Sequence, residues 1–352
     1  MCNKPFVSVI IPCLNEESYI GRCLDSLIDN DYPKEYMEII VIDGFSEDRT
    51  YEILKEYKSC YPFIKILRNP RRITPVALNI GIKTSKGDII LRADAHSTFP
   101  KDYISKCVYY LYKFDAVNVG GTWTVLPRNN TLTGKSIALT YSHPFGSGNS
   151  YYKTGYSGEP RLVDTVPFGC YKRSVFDRIG YFNENLVRSQ DIEFNKRLRK
   201  NGYKIILVPE IKCNYFIRSN YKDYFKHNFN EGKWVVYALR FADDPVSIRH
   251  LFPMLVGSVF SFLLIASRFS KVCRKVMNFL ALIYLLLNAV FAIQISSRES
   301  DYSILPFCIF SFFIRHFAYS FGSLIALPRT VISKEFWSNR KNYISFIISK
   351  CK

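Results

Sequence analysis

Asp43 closes the apolar run EIIVIDG (38–44), Asp94 and His96 close DIILRADAH (88–96), and Asp191 opens a basic, helix-patterned segment at 189–201. A carboxylate and an imidazole one residue apart at a strand end both turn into the same crevice. That donor pair is compatible with Mn2+ and less natural for Mg2+. A divalent ion held there would stabilise negative charge growing on a departing diphosphate. Asp43, at the mouth of its strand, is placed to accept a hydrogen bond from an imide such as that of uracil, with the Pro12 to Glu16 turn alongside. In the first turn of a helix the dipole favours the ionised form of Asp191, the form a general base requires. Each feature also has a plain structural explanation: strand-end aspartates serve turns and caps, D-x-H strings arise by chance, and a first-turn acid stabilises its helix. Their order along one chain is what carries information.

The elements that must position these groups are legible in outline. VSVIIPCLNEE (7–17) holds a short strand expected to stop at Pro12, followed by a helix with Ile20, Cys23, Leu24, Leu27 and Ile28 on one face. EIIVIDG is a second strand, with Ser46 as the expected N-cap of a helix carrying Tyr51, Leu54 and Tyr57. KILRNP (65–70) supplies a third strand, Thr74-Pro75 open the next helix, and Gly87 ends it before the strand at 88–96. Strand and helix in alternation mean a parallel sheet, whose ligands sit outside the carboxyl ends of the strands, so Asp43 and Asp94 point to one crevice. Beyond residue 115 the pattern gives a strand near 116–123, a Gly-, Ser- and Tyr-rich loop at 144–158, a helix from about 172, and a helix at 189–201 capped by Ser189 and closed by Gly202.

The chain has 352 residues and a formal net charge of +18. Its Lys and Arg are scattered and no nucleic-acid-binding signature organises them, so a role on nucleic acid is not expected. Basic residues beside hydrophobic segments suit an anionic lipid surface and phosphate-bearing substrates. The ten cysteines lie singly and read as reduced, packed thiols. No charged-then-apolar leader precedes the first strand, so residues 1–250 are expected to stay in the cytoplasm. Residues 251–327 are mostly apolar, in stretches at 251–267, 276–295 and 304–327. The second and third reach the roughly 20 residues needed to span. The basic break with Arg268, Lys271, Arg274 and Lys275 argues by the positive-inside rule for 251–267 as a re-entrant or interfacial segment. The break at 296–301 is then external, and the basic tail 328–352, with Arg329, Lys334, Arg340 and Lys341, is cytoplasmic. Arg315 and His316 are costly in lipid and are expected to face protein, a headgroup or water.

Taken together, VSVIIPCLNEE, VIDGFSEDRT (41–50), ALNIGIKTSKGDIILRADAHSTFP (77–100) and VDTVPFGCYKRSVFDRIGYFNENLVRSQDIEFNKRLRKNGYKI (163–205) resemble the family 2, GT-A fold glycosyltransferases, and within them the succinoglycan-type exopolysaccharide enzymes with C-terminal hydrophobic segments. The resemblance covers about residues 5–240 well and reaches the tail more loosely through HFAYSFG (316–322). It implies an α/β fold: a Rossmann-like, mixed, mainly parallel sheet flanked by helices, followed by a helical membrane region. Carried over by position, Pro12, Asn15, Glu16 and Asp43 match nucleotide-contacting positions, Asp94 and His96 the D-x-D metal and diphosphate motif, Asp191 the catalytic base, and Phe168, Gly169 and Cys170 the loop lining the acceptor side. Arg71 joins them as a candidate diphosphate contact. His96 departs from the second Asp of that motif, Gln190 stands where many relatives have Glu, and HNFNEGKW (227–234) only loosely matches Q-x-x-R-W.

The resemblance implies a membrane-bound, inverting hexosyltransferase of the cell (inner) membrane. It would take a nucleotide-diphosphate sugar, with a lean to UDP, and a divalent metal, Mn2+ or Mg2+. Its acceptor would be a polyprenyl-diphosphate-linked saccharide in exopolysaccharide or cell-surface glycan synthesis. Two rivals stand beside it. A processive polysaccharide synthase would thread its product through its own helices, for which these hydrophobic segments are few. A non-catalytic membrane-bound nucleotide-sugar-binding protein would tolerate loss of Asp191.

Overall fold

The computed structural model of the chain describes residues 4–148, 150–242, 246 and 248–338. Strand and helix alternate through β1 (Val7–Cys13), α1 (Ile20–Ile28), β2 (Met37–Asp43), α2 (Thr50–Cys60), β3 (Ile64–Arg68), α3 (Thr74–Thr84) and β4 (Ile89–Arg92). The pattern then loosens into β5 (Ser97–Thr98), α4 (Tyr103–Lys113), β6 (Asn118–Pro127), α5 (Leu132–Ser142), α6 (Pro144–Ser147), β7 (Arg161–Leu162), β8 (Cys170–Lys172), α7 (Ser174–Ile179), α8 (Gln190–Lys200) and β9 (Ile205–Ile217). Four helices follow: α9 (Tyr221–Phe241), α10 (Ile248–Ala266), α11 (Lys271–Arg298) and α12 (Leu305–Val331).

The strands form one mixed sheet in the order β3-β2-β1-β4-β8-β6-β9-β5, with β7 on β9. β1 runs parallel to β2 and β4, and β2 parallel to β3, while β8 is antiparallel to both β4 and β6. Every residue of β2 is buried, as befits a central parallel strand covered on both faces. Ile10, Ile40, Ile42, Leu78, Phe176 and Phe194 anchor the core on one side of the sheet. Each such side chain contributes about 1.5–3 kcal/mol by leaving water. Burial extends to polar groups, among them Glu38, which accepts from Ser8 and the Lys86 amide and ion-pairs with Lys65 at 2.7 Å.

Several local expectations need correction. β1 passes through Pro12 to Cys13, because a proline φ is compatible with extended backbone near a strand end. Ser46 does not cap α2, which begins four residues later; its hydroxyl bonds Asp43 at 2.6 Å. α3 ends at Thr84, before Gly87, whose N–H bonds the Ser8 hydroxyl at 2.8 Å. Ser189 does occupy the N-cap position of α8, but in left-handed backbone and with no side-chain cap bond. Ile20, Cys23, Leu24 and Leu27 form the buried face of α1, as their spacing indicates.

The chain divides into two compact units: residues 1–124 with 150–216, and 125–149 with 217–352. The second is thus larger than a region beginning at residue 251. Within it, the 251–267 stretch is one continuous helix, α10, with no reversal inside it. α11 and the stretch Tyr302–Val331 are long and apolar enough to cross a membrane, and His250–Ala266 is shorter. The far part of the basic tail, including Arg340 and Lys341, lies outside the described residues.

Candidate active site

In the first unit the carboxyl ends of β1, β2 and β4 share one sheet edge, fixed by the register Cys13↔Asp43 and Ile10↔Arg92. The loops leaving β1 and β2 are stitched together there. Asn15, in left-handed backbone at φ 54°, receives a bond from the Glu47 amide at 2.9 Å, and its own amide donates to the Ser46 hydroxyl at 2.9 Å. Asparagine tolerates that conformation better than most residues, which suits this tight turn. The Glu16 amide donates to Thr50 at the start of α2. Asn15 and Glu16 therefore belong to a turn tied to the loop that follows Asp43, with Pro12 in the last residues of β1 beside Ile42.

Asp43 is fully buried at the end of β2. Its carboxylate accepts from the Ser46 amide and hydroxyl and from Arg68. The Arg68 guanidinium also lies over the Tyr51 ring, 3.4 Å from its centroid. Asp43 is thus engaged within the protein, and a ligand reaching it must take over one of these bonds.

Asp94 and His96 follow β4, as their spacing indicates, but each has a partner that spacing did not reveal. Arg92, the last residue of β4, reaches Asp94 Oδ1 at 3.0 Å and Asp191 Oδ2 at 3.8 Å. Its side chain is only 14% exposed. Burial by itself would lower the affinity of the guanidinium for its proton; the facing carboxylates of Asp94 and Asp191 outweigh that and raise its pKa above the ordinary value. His96 Nδ1 lies 2.9 Å from Glu16 Oε1. A ring nitrogen turned to a carboxylate leaves Nε2 as the ligating atom, the arrangement that orients metal-binding histidines. Asp94 and His96 would be the residues to hold a divalent ion here, which would have to take its remaining ligands from outside the chain. Among the described residues no group of three or more His, Cys, Asp or Glu is arranged to hold a metal by itself.

Asp191 is in the first turn of α8, its side chain 34% exposed. Glu193, two residues on, turns away and is 5% exposed; it grips Arg197 at 2.6 Å, which in turn bonds the carbonyls of Ile179 and Tyr181. Phe168, Gly169 and Cys170 lead into β8, and the Gly169 carbonyl accepts from the Arg92 amide at 3.0 Å. The loop and the arginine are thereby tied together. Phe168 is buried against Phe99, Trp123 and Tyr215, and Trp123 stacks on Tyr215 with centroids 4.2 Å apart. Burial pushes the Cys13, Cys23 and Cys170 thiols up, which keeps them protonated and unreactive. Arg71 is ion-paired to Glu184 at 2.8 Å, its side chain 54% exposed.

The sequence reading brought out Asp94, His96 and Asp191 but missed Arg92 and the Trp123–Tyr215 stack. A lone arginine ending the otherwise apolar strand DIILR was the available signal for Arg92. Nothing local marked Trp123 or Tyr215, which meet only across the sheet.

The profile described as "Glycosyl transferase family 2" matches residues 8–180. The chain is 30% identical over 323 residues to the dolichyl N-acetyl-alpha-D-glucosaminyl phosphate 3-beta-D-2,3-diacetamido-2,3-dideoxy-beta-D-glucuronosyltransferase of Methanococcus voltae, covering 90% of this chain and 95% of that protein. It is 27% identical over 230 residues to the succinoglycan biosynthesis protein ExoA of Rhizobium meliloti, covering 64% of this chain and 67% of that one. Among solved structures, the mannosyltransferase PcManGT from Pyrobaculum calidifontis, in complex with GDP-Man and Mn2+, superposes with a TM-score of 0.60 at 18% identity, over 90% of this chain and 88% of that one. That likeness is one of fold: a mixed sheet with flanking helices of the GT-A type, with apolar helices at the C-terminus.

Proposed function

Because this chain belongs to glycosyltransferase family 2, we propose that it moves a sugar from a nucleotide-diphosphate donor to a lipid-linked saccharide with inversion at the anomeric carbon. The carrying observation is Arg92, which ends β4 and reaches both Asp94, two residues on, and Asp191 on α8. One cation within reach of both carboxylates supports assigning the diphosphate group and the acceptor group to the same site.

In this reading Asp191 takes the proton of the acceptor hydroxyl as its oxygen forms the bond to the anomeric carbon. The bond from that carbon to the diphosphate oxygen breaks on the opposite side, and the nucleotide leaves with the electron pair. An α-linked donor gives a β-linked product. Arg92, buried and held charged, faces the oxygens on which negative charge collects, where a fixed donor acts most strongly. Asp94 and His96 would hold Mn2+ or Mg2+, with Glu16 orienting the imidazole; when bound, such an ion neutralises diphosphate charge. The Pro12–Glu16 turn and Asp43 are assigned to the nucleotide, with uracil as the base that Asp43 suits once Arg68 or Ser46 yields a bond. Arg71 is assigned to the outer phosphate, provided Glu184 releases it. Phe168, Gly169 and Cys170 line the acceptor side.

A lipid-linked acceptor is supported by the apolar helices of the second unit and by the dolichyl phosphate-linked substrate in the name of the Methanococcus voltae relative. We assign the protein to the cell membrane with residues 1–250 on the cytoplasmic side. The test is incubation of the detergent-purified full chain with a panel of nucleotide sugars, Mn2+ or Mg2+, and a polyprenyl-diphosphate-linked saccharide. One donor is expected to give a β-linked product by NMR. Neither transfer nor hydrolysis of any donor would sink the proposal.

A further inference from the structure

We propose that the α10–α11 hairpin is the part of this chain that crosses the bilayer, and that α12, despite its length and apolar character, lies along the membrane surface. This inference concerns the second unit alone and does not depend on which sugar is moved.

α11 and α12 differ in what surrounds them. On α11 the consecutive residues Leu285, Leu286 and Leu287 are 55%, 57% and 44% exposed. Three successive positions at 100° steps span more than half of a helix circumference, so α11 shows apolar surface on most sides. Its buried face is Asn288, Ala292, Ile295 and Ser296, of which Ala292 and Ile295 pack with Ile304, Cys308 and Phe312. α10 behaves alike, with Phe262, Leu264 and Ile265 each more than half exposed. Helices apolar all round belong in hydrocarbon. α12 shows instead a single exposed stripe, Phe310, Phe313, Phe317, Phe321 and Ile325, at helical spacing, while Arg315, Ala318, Gly322, Ser323 and Ala326 on its other side are buried.

What covers that buried side is α9. The two helices run together from the Tyr221 hydroxyl on the Phe307 carbonyl, past Ser323 on the Gly232 carbonyl at 3.0 Å, to Arg240 with Glu335 at 3.3 Å. Their contact is close enough that a Cβ on Gly232 would stand 2.0 Å from the Tyr319 carbonyl oxygen, and one on Gly322 2.0 Å from that of Phe229. At mid-length Arg315 pairs with Glu231 at 2.7 Å, bonds Asn228, and donates to the Gly146 carbonyl. α9 also carries Lys222, Asp223 and Lys226 on its exposed side. If α12 spanned, α9 would be drawn through the hydrocarbon with it, and those charges have no place there. One apolar stripe backed by a charged helix is the geometry of an interfacial element, with lysines suited to anionic headgroups.

The turn between α11 and α12 fixes the sidedness. Asp301 and Glu299 pair with Lys135 at 3.2 and 3.6 Å, and Ser136 bonds the Ile304 carbonyl, so the turn is anchored to the start of α5. A hairpin that crosses and returns brings residues 296–304 back to the side from which α10 starts, the side of α9 and of the chain joined to it, and leaves the α10–α11 turn with Arg268, Lys271, Arg274 and Lys275 on the far side. This reverses the arrangement that hydropathy and the positive-inside rule suggest. Charge bias in loops governs insertion statistically, whereas the α9 contacts bind α12 residue by residue.

The test is protease protection of the full chain in sealed membrane vesicles, with a specific cleavage site inserted after Ser270 or after Ser300 and an N-terminal tag marking the side that bears the catalytic part. In vesicles whose tag is accessible, the site after Ser300 is expected to be cut and the site after Ser270 to be cut only once detergent is added. Protection after Ser300 with cutting after Ser270 overturns the proposal in favour of α11 and α12 as the spans, and cutting at both leaves nothing crossing and overturns it equally. Should an insertion prevent membrane accumulation, Phe269→Cys and Ser300→Cys labelled with a membrane-impermeant maleimide, beside the unsubstituted chain, give the same reading. Sugar transfer is not the readout, so a failed donor screen leaves this result standing.

Discussion

Arg92 Nη1 lies 3.8 Å from Asp191 Oδ2 while its Nη2 holds Asp94 Oδ1 at 3.0 Å, so one buried guanidinium joins two carboxylates that are nearly a hundred residues apart. Replacing Arg92 with Gln leaves both acids facing each other without the cation. Arg92→Gln is expected to lower kcat by about a hundredfold to a thousandfold, the scale of losing a fixed charge-stabilising donor. Arg92→Lys keeps the charge but loses the fork that reaches both acids, and is expected to recover only part of the rate. Steady-state kinetics with the donor found in the screen measures both.

Asp191→Asn keeps the shape of the first turn of α8 and removes the base. Turnover is expected to fall by about 10² to 10⁴ with donor affinity within a few-fold of the parent, because proton transfer belongs to the chemical step. Calorimetric titration of donor beside initial rates distinguishes this from a binding defect. A variant that turns over normally removes Asp191 from the mechanism.

Glu16 acts on His96 through a 2.9 Å contact. Glu16→Gln is expected to weaken Mn2+ affinity by about 10- to 100-fold, as loss of an outer partner of a metal-binding histidine does. His96→Asp is expected to shift the activating ion toward Mg2+, since a second carboxylate replaces imidazole. Metal titration of donor-dependent activity reads both effects. Unchanged titration curves in the two variants would remove His96 from the ion site.

The buried Glu38 gives an acid-dependent prediction. Burial by itself raises its pKa, but Lys65, the Lys86 amide and the Ser8 hydroxyl outweigh it and hold the carboxyl below its ordinary value. A depressed folded-state pKa stabilises the fold above the unfolded-state value, about 4.3, and that contribution is lost as pH falls through the folded value. Glu38→Gln is thus expected to cost about 2 kcal/mol at pH 7 and progressively less below about pH 4.3. Unfolding curves of the two proteins at a series of pH values should converge on the acid side; a constant gap contradicts the assignment.

The α9–α12 contact makes a packing prediction. Gly322→Ala places a methyl where the Phe229 carbonyl oxygen already stands, 2.0 Å away. Such overpacking costs about 1–3 kcal/mol, expected as a lower melting temperature of the detergent-solubilised protein. Ala substituted at the exposed Phe313 should leave that temperature nearly unchanged.

The sequence by itself determined the alternating strands, the sheet edge at which Asp43 ends its strand and Asp94 follows its own, the helix bearing Asp191, and the presence of long apolar helices. These are local properties, written in periodicity, in caps and in residue type, and each is complete within about a dozen neighbouring positions. Only the tertiary structure decided that Asp43 is engaged by Arg68 and Ser46, that Arg92 links Asp94 to Asp191, that Glu16 holds His96, and that α9 sheathes α12 while most of the α11 surface stays exposed. Apart from the local Ser46–Asp43 and Arg92–Asp94 bonds, those relationships join residues from Arg68–Asp43 to Arg92–Asp191 that are distant along the chain, and no local pattern encodes which distant side chain will neutralise a charge or cover a face. Hydropathy counts how apolar a helix is; whether protein or lipid meets that surface is settled by what packs against it.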